Sequence, residues 1–245
     1  MDPGTVFSLL ISALILVVAV VYSAAGLGGA SGYFAVMALF GMSPIAMKPT
    51  VLTLNIIVAL IGTARFYRAG FFSWRTFWPF AVASAPASFL AGSLTSFSDK
   101  SLVSLIMLYG AARLFLRIGA HKQTALVPIW IALFLGAAIG FISGLTGVGG
   151  GIFFSPLLLL MHWATPEETC GVSAALVLVN SSAALLTNVS AVLFLPADVI
   201  YWAPAALVGG WIGTELGLRG LPIVGLRPLS AVILVLGGLR SLIGV

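Results

Sequence analysis

Charge is the scarcest property of this chain. Only 7% of its 245 residues are Asp, Glu, Lys or Arg, whereas 61% are hydrophobic, far more apolar side chain than a soluble domain of this size needs for a core. Residues 5–47 carry no charged side chain, and 127–195 carry only Glu167 and Glu168. A soluble globular domain is thereby excluded. What remains is a polytopic membrane protein, in which each crossing takes about 20 predominantly apolar residues. Cysteine is nearly absent too: the single Cys170 excludes an internal disulfide and a cysteine metal cluster. The opening MDPGTVF has no basic segment ahead of its apolar run, so a cleavable signal is not expected and 5–25 reads as retained structure. The net charge of +5 arises from eleven Lys and Arg scattered at the ends of apolar runs, where such residues set membrane topology. No basic tail or domain is left for nucleic acid. The two histidines, His121 and His162, fall at loop ends far apart, so neither a metal pair nor a catalytic dyad is expected, and no cofactor.

Glycine, by contrast, is plentiful and unevenly placed. The segment GLTGVGGG over 144–151 puts five glycines into eight residues. Breaks in the apolar pattern predict helices over 5–25, 31–41, 46–66, 75–95, 101–117, 127–145, 151–162, 170–194, 199–217 and 227–243. Two of these, 31–41 and 151–162, are about 17 Å long at 1.5 Å per residue, against a hydrocarbon core of about 30 Å. Each follows a glycine-rich break. GLGGAS at Gly26 matches GVGGGI at Gly147, offset by 121; Pro79 and Gly92 match Pro204 and Gly217 at 125; YGAARL at Tyr109 matches LGGLRS at Leu236 at 127, setting Arg113 opposite Arg240. The chain thus reads as one membrane domain of two similar halves, 1–122 and 123–245.

Charge orients them. If each short segment forms a re-entrant hairpin with the helix before it, then Arg65, Arg68, Arg75, Arg113, Arg117, Lys122, Arg219 and Arg227 fall on one side, against Lys48, Lys100 and Arg240 on the other. The richer side is cytoplasmic. Each half then holds one hairpin and three spanning helices, an odd number, so the expected fold class is an all-α polytopic membrane protein of two inverted-topology repeats, with both termini outside. Such symmetry is typical of secondary transporters, whose site lies near the midplane at broken helices.

The breaks now acquire a use. Helix N-termini carry a partial positive charge and unpaired N–H donors, and consecutive glycine N–H groups make an anion-binding nest. Backbone of this kind is tolerated at membrane depth where protein buries it or it lines a wet cavity. The expected donors are Gly28, Gly29 and Ser31 in the first half and Gly149, Gly150 and Gly151 in the second. The plainer alternative is that the glycines only let helices approach closely.

These residues resemble the sulfite exporter TauE/SafE family of bacterial transporters for sulfite, sulfonates and related sulfur-containing anions. The likeness rests on AAGLGGASGYFAV with GMSPIAMKPT in the first half and GFISGLTGVGGGIFFSPLLLL with TPEETCGVSAALVLVNSSA in the second, and it covers nearly the whole chain. The first half departs from the pattern, with Ala30 in place of the fourth glycine and Ala35 where the second half has Pro156. The resemblance implies export of a small sulfur oxyanion, sulfite or an organosulfonate, across the bacterial inner membrane. Composition and spacing alone imply an inverted-repeat transporter with an anion-friendly centre.

Candidate side chains follow from helical spacing. Lys48, Leu52, Asn55, Ala59 and Gly62 share one face, as do Ser173, Val177, Asn180, Ala184 and Thr187, with Ser181 and Asn188 beside them. A carboxamide is expensive in lipid, so Asn55 and Asn180 are expected to face inward, either onto the anion or into interhelical hydrogen bonds. Lys48 reads as drawing the anion or as snorkelling at the outer surface. Arg113 and Arg240 read as paired gateway residues, because guanidinium offers fork-like donors to oxyanions, or as topology anchors. Arg65 and Arg68 read as cytoplasmic anchors. Glu215 is the one carboxylate that falls deep enough to suggest a proton relay. No enzyme is visible, since GLTGVGGG lacks the serine of a nucleophile elbow and no strand precedes it. An intramembrane serine protease needs a membrane-facing His that neither histidine supplies, and an anion channel would share the charge pattern. Gly/Ala-rich 75–95 and 199–217 suit close contact between two copies, so a homodimer is a further expectation beside the small anionic substrate and the lipid bilayer.

The charge sorting is directly testable. In a Cys170→Ala background, a membrane-impermeant thiol reagent added to intact cells should label Asp2→Cys and leave Lys122→Cys unlabelled; labelling of both from outside would contradict an odd number of spans per half.

Overall fold

The computed structural model describes residues 3–94, 100–115, 127–187, 189, 195–220 and 227–243. Among them the chain forms ten helices and no strand: α1 (Pro3–Ala24), α2 (Ala30–Leu39), α3 (Pro44–Arg68), α4 (Trp74–Ser93), α5 (Lys100–Phe115), α6 (Ile129–Thr146), α7 (Gly151–Leu160), α8 (Pro166–Leu186), α9 (Val199–Leu218) and α10 (Arg227–Ile243). By length and composition α1, α3, α6 and α8 each contain a stretch able to cross a bilayer. The two short helices, α2 and α7, have ten residues each, about 15 Å. Trp130, Phe134 and Ile200 are 81%, 74% and 71% exposed, a cost in water that disappears against hydrocarbon.

One helix differs from the expected map at both ends, its last residue Leu186 falling eight short of the expected 194. The helix expected over 170–194 begins at Pro166, because Thr165 caps it: its hydroxyl accepts from the Glu168 N–H at 3.2 Å, and the Glu168 carboxylate accepts from the Thr165 N–H at 3.0 Å. This reciprocal box, with proline at the first helical position, satisfies donors that would otherwise be stranded at the helix start. Glu167 and Glu168 therefore belong to the first turn of α8, where their charge favours the positive end of the helix.

Helix pairing follows the halves. The most extensive contacts are α4 with α6, α1 with α9, α3 with α8 and α5 with α10, followed by α4 with α8, then α3 with α9 and α2 with α10. Replacing α1 to α5 by α6 to α10, and the reverse, turns each of these pairs into another of them or into itself, except α2 with α10, whose counterpart α5 with α7 is far less extensive among the described residues. Phe7 at the start of α1 meets Phe40 at the end of α2, ring centroids 4.8 Å apart. Each short helix sits in its own apolar cluster, α2 among Ile15, Leu54, Met107 and Leu234, α7 among Phe80, Ala132, Leu176 and Trp163, with Val127 packed against it.

Glycine stripes set the distance between the closest helices. Along α6, a Cβ added at Gly136, Gly140 or Gly144 would lie 2.8, 2.2 and 2.2 Å from the carbonyl oxygens of Phe80, Ser84 and Ser88 on α4. Along α9, Gly209, Gly213 and Gly217 meet the Leu16, Val20 and Ala24 backbone of α1 in the same way. With no hydrophobic force between helices in lipid, this intimacy is what dispersion can reward. The glycine face of α9 that suggested contact between two copies is thus occupied within the chain.

Overpacking at such a contact typically costs about 1–3 kcal/mol. Gly140→Ala should accordingly lower the thermal unfolding midpoint of the detergent-solubilised protein by several degrees, whereas Gly62→Ala, whose added Cβ reaches Ala174 at an ordinary 3.4 Å, should leave it nearly unchanged.

Candidate functional site

The chain leaves α1 through Gly26 and Gly28, at φ +66° and +79°, and leaves α6 through Gly147, Gly149 and Gly150, at +77°, +80° and +82°. L residues with a Cβ avoid this left-handed region, so the reversal requires glycine. The short helix that follows each break has no side-chain cap, with Gly29 as N-cap of α2 and Gly150 as N-cap of α7. Residues 28–31 and 149–152 are buried.

The two breaks are a single place. A Cβ added at Gly28 would stand 2.3 Å from Asn55 Oδ1, and one at Gly149 would stand 2.5 Å from Asn55 Nδ2, so the Asn55 carboxamide lies between them. Val177 closes the same space, touching the Cβ positions of Gly28, Gly149 and Gly151, and the Gly151 position lies 3.2 Å from the Leu27 carbonyl oxygen. Around this junction the polar side chains are neutral. Asn55 Nδ2 donates to Ser181 Oγ at 2.9 Å, and Asn180 Nδ2 donates to the Gly149 carbonyl at 3.5 Å. From α4, the Ser84 hydroxyl donates to Asn180 Oδ1 and the Ser88 hydroxyl to the Asn180 carbonyl at 2.9 Å. Three buried polar atoms here have no partner: Asn55 Oδ1, Tyr33 OH and Ser143 Oγ.

Several of the expected residues meet at this junction: Gly28, Gly29, Gly149, Gly150, Gly151, Asn55 and Asn180. Others are engaged elsewhere. Ser31 Oγ donates to the Tyr22 hydroxyl at 3.0 Å, and Ser173 shares a 2.8 Å hydrogen bond with Ser155 that ties α8 to α7. Lys48 is half-buried at the edge of the second break, its Cγ 3.1 Å from the Cβ position of Gly147, and it donates to the Leu145 carbonyl at 3.1 Å, in the last turn of α6. There a cation satisfies an orphan carbonyl and offsets the negative pole of the helix. Arg240 does the same at the end of α2, donating to the Leu39 carbonyl. The Arg113 side chain, His121, Lys122 and Asn188 lie outside the described residues. Glu215 is not isolated: it pairs with Arg65 from α3 and with Arg219, whose Nε lies 2.6 Å away, while Arg65 stacks 4.3 Å over Trp211. This arrangement ties the last turns of α3 and α9 together. Among the described residues no group of His, Cys, Asp or Glu has the makings of a metal site.

Tyr33, Ser84, Ser88 and Ser143 were not anticipated. The spacing of Ser84 and Ser88, four apart on an apolar helix, was the available signal, since i and i+4 share a face. A cavity of about 280 Å³ lies elsewhere, where the starts of α1, α3 and α9 approach one another, lined by Ser8, Ile11, Ser43, Asp198 and Trp202 among others.

The profile of the sulfite exporter TauE/SafE family matches residues 11–241. This chain belongs to that family. As a TauE/SafE protein it is a multi-pass membrane transporter, which agrees with its all-helical, lipid-suited architecture. It is 40% identical over 235 residues, 92% of this chain and 94% of the relative, to y4hK of Sinorhizobium fredii (strain NBRC 101917 / NGR234), described as a probable membrane transporter protein. No solved structure matches it significantly.

The placement of Lys48 predicts a stability effect. Removing a cation from a helix C-terminus costs about 0.3–1 kcal/mol, rising to about 2 kcal/mol when partly buried. Lys48→Met should lower the unfolding midpoint of this TauE/SafE transporter in detergent, and Lys48→Arg should restore most of the loss.

Proposed function

We propose that the protein is a secondary transporter that exports sulfite or a related small sulfur-containing anion, such as an organosulfonate, across the bacterial inner membrane. The observation that carries this reading is the convergence of two uncapped, buried helix N-termini, α2 and α7, on the Asn55 carboxamide. Both positive poles and their free N–H groups serve an anion there, and they need one, because no water is available at that depth to satisfy them. The sulfur chemistry and the outward direction follow from the family to which the chain belongs.

Alternation of access is supplied, in this reading, by two inverted repeats, 1–122 and 123–245, each a re-entrant hairpin followed by three spanning helices. The exchange of most of the major helix pairs, all but α2 with α10, supports it. So do the Phe7–Phe40 contact, which returns the end of α2 to the start of α1, and the shared cluster of Val127 and Trp163, which returns the end of α7 to the start of α6. Burial of both breaks favours an occluding transporter over an open anion channel of the same architecture.

Gly150 is the point of test. A side chain there meets Ile139 at 2.9 Å and the Asn180 amide at 3.1 Å, at φ +82°. Gly150→Val is expected to abolish sulfite flux in proteoliposomes while the protein still inserts and folds. Leu160→Val, at a position 61% exposed, should transport nearly as the parent does. Wild-type flux from well-folded Gly150→Val would place the anion elsewhere and reduce the break to a packing device.

A further inference from the structure

The reading of the junction as an anion site leaves open what charge the anion carries and which side chains hold it. We propose that it takes a singly charged oxyanion, bound by the hydroxyls of Tyr33 and Ser143 in addition to the backbone N–H groups at the two breaks. This inference rests on that reading and makes it more specific.

Charge balance comes first. Each helix N-terminus acts as roughly half a positive charge, so α2 and α7 together supply about one. Nearby cations are each bonded to a helix end of opposite sign, which offsets about half of their charge. Lys48 is directed at the Leu145 carbonyl, the negative pole of α6, and Arg240 at the Leu39 carbonyl, the negative pole of α2. The N-termini thus match about one elementary charge, and the second charge of a dianion is left poorly matched in a medium of low dielectric, an unfavourable state for a buried ion.

The side chains supply the second observation. Tyr33 is wholly buried, its hydroxyl has no partner, and that oxygen stands 2.5 Å from the position a Cβ would take on Gly29, the N-cap of α2. Ser143 is also wholly buried with an unpartnered hydroxyl, and its Cβ stands 3.5 Å from the corresponding position on Gly150, the N-cap of α7. Each break thus has one free O–H donor beside it. Buried polar groups are nearly always hydrogen-bonded, and a pair of exceptions at both N-caps of one site calls for a partner that the chain itself does not provide. The donors do not come from equivalent positions. At the offset of 121, Tyr33 corresponds to Phe154, and Ser143 to Tyr22, which Ser31 already engages. The two half-sites therefore present different donors to the same ligand.

Binding to the purified full-length protein in detergent, measured by calorimetry, tests both parts. The probes are methanesulfonate, singly charged throughout the working pH range, sulfate, doubly charged throughout it, and sulfite, which passes from hydrogensulfite to the dianion as pH rises. Methanesulfonate should bind with an affinity independent of pH, and sulfate at least about tenfold more weakly, as a missing charge-assisted interaction implies. The apparent affinity of sulfite should fall in proportion to the hydrogensulfite fraction. Sulfate binding as tightly as methanesulfonate, or sulfite affinity unchanged by pH, would overturn the single-charge assignment while leaving an anion site in place. Binding of none of the three to folded protein would overturn the anion site itself, and this inference with it. Tyr33→Phe and Ser143→Ala test the donors separately. Each should weaken methanesulfonate binding about tenfold while leaving the unfolding midpoint of the ligand-free protein equal or higher, because an unpartnered buried hydroxyl contributes nothing favourable to folding. Unchanged affinity in both variants would overturn the assignment of these hydroxyls as donors, whatever the outcome for charge.

Discussion

A helix that starts in a buried interior without a cap leaves N–H groups with no water to bond, and the rest of this structure is arranged around two such starts. The starts of α2 and α7 are buried and uncapped by any side chain. In a soluble protein a serine or an aspartate at the N-cap would settle the matter for about 1 kcal/mol, and this chain does so at α8, where Thr165 and Glu168 form a capping box. At the two breaks glycine stands instead. Its missing side chain lets the backbone reverse and lets both breaks close on the Asn55 carboxamide.

Holding two buried chain reversals together requires rigid, close neighbours. The glycine stripes of α6 and α9 bring their backbones onto α4 and α1. The α4–α6 contact then places Ser84 and Ser88 where they hold the side chain and carbonyl of Asn180. The two stripes lie on non-equivalent members of equivalent pairs, α6 against α4 and α9 against α1. Interface geometry is preserved between the halves while the residues that create it have changed sides.

Carbonyl ends of helices are treated differently from the two uncapped N-termini. Cations close carbonyls at the ends of α6 and α2 through Lys48 and Arg240, and at the end of α1 the Cys170 thiol lies 3.8 Å from the Ala24 carbonyl. Lys48 belongs to the first half and closes a helix of the second; Cys170 belongs to the second and closes a helix of the first. Lys48 does this at the edge of the second break, its Cγ 3.1 Å from the Cβ position of Gly147.

Much of this was legible in the sequence, for a local reason. The length of an apolar run, a glycine that permits a left-handed turn and a proline at a helix start act within a few residues, so the ten helices, the two short ones and the inward placing of Asn55 and Asn180 could be read directly. The start of α8 was readable as well, in the TPEE of 165–168, but the capping box was overlooked and the boundary placed four residues late. The contributions of Tyr33, Ser84 and Ser143, and the destinations of Lys48 and Arg240, were decided by tertiary structure. In a soluble helix an amphipathic pattern reveals which face turns inward. Here lipid and core are equally apolar, so the rotation of a helix about its axis leaves little trace in its sequence. Only the packing of glycine against backbone, between residues dozens of positions apart, determines which polar side chains are turned toward the centre.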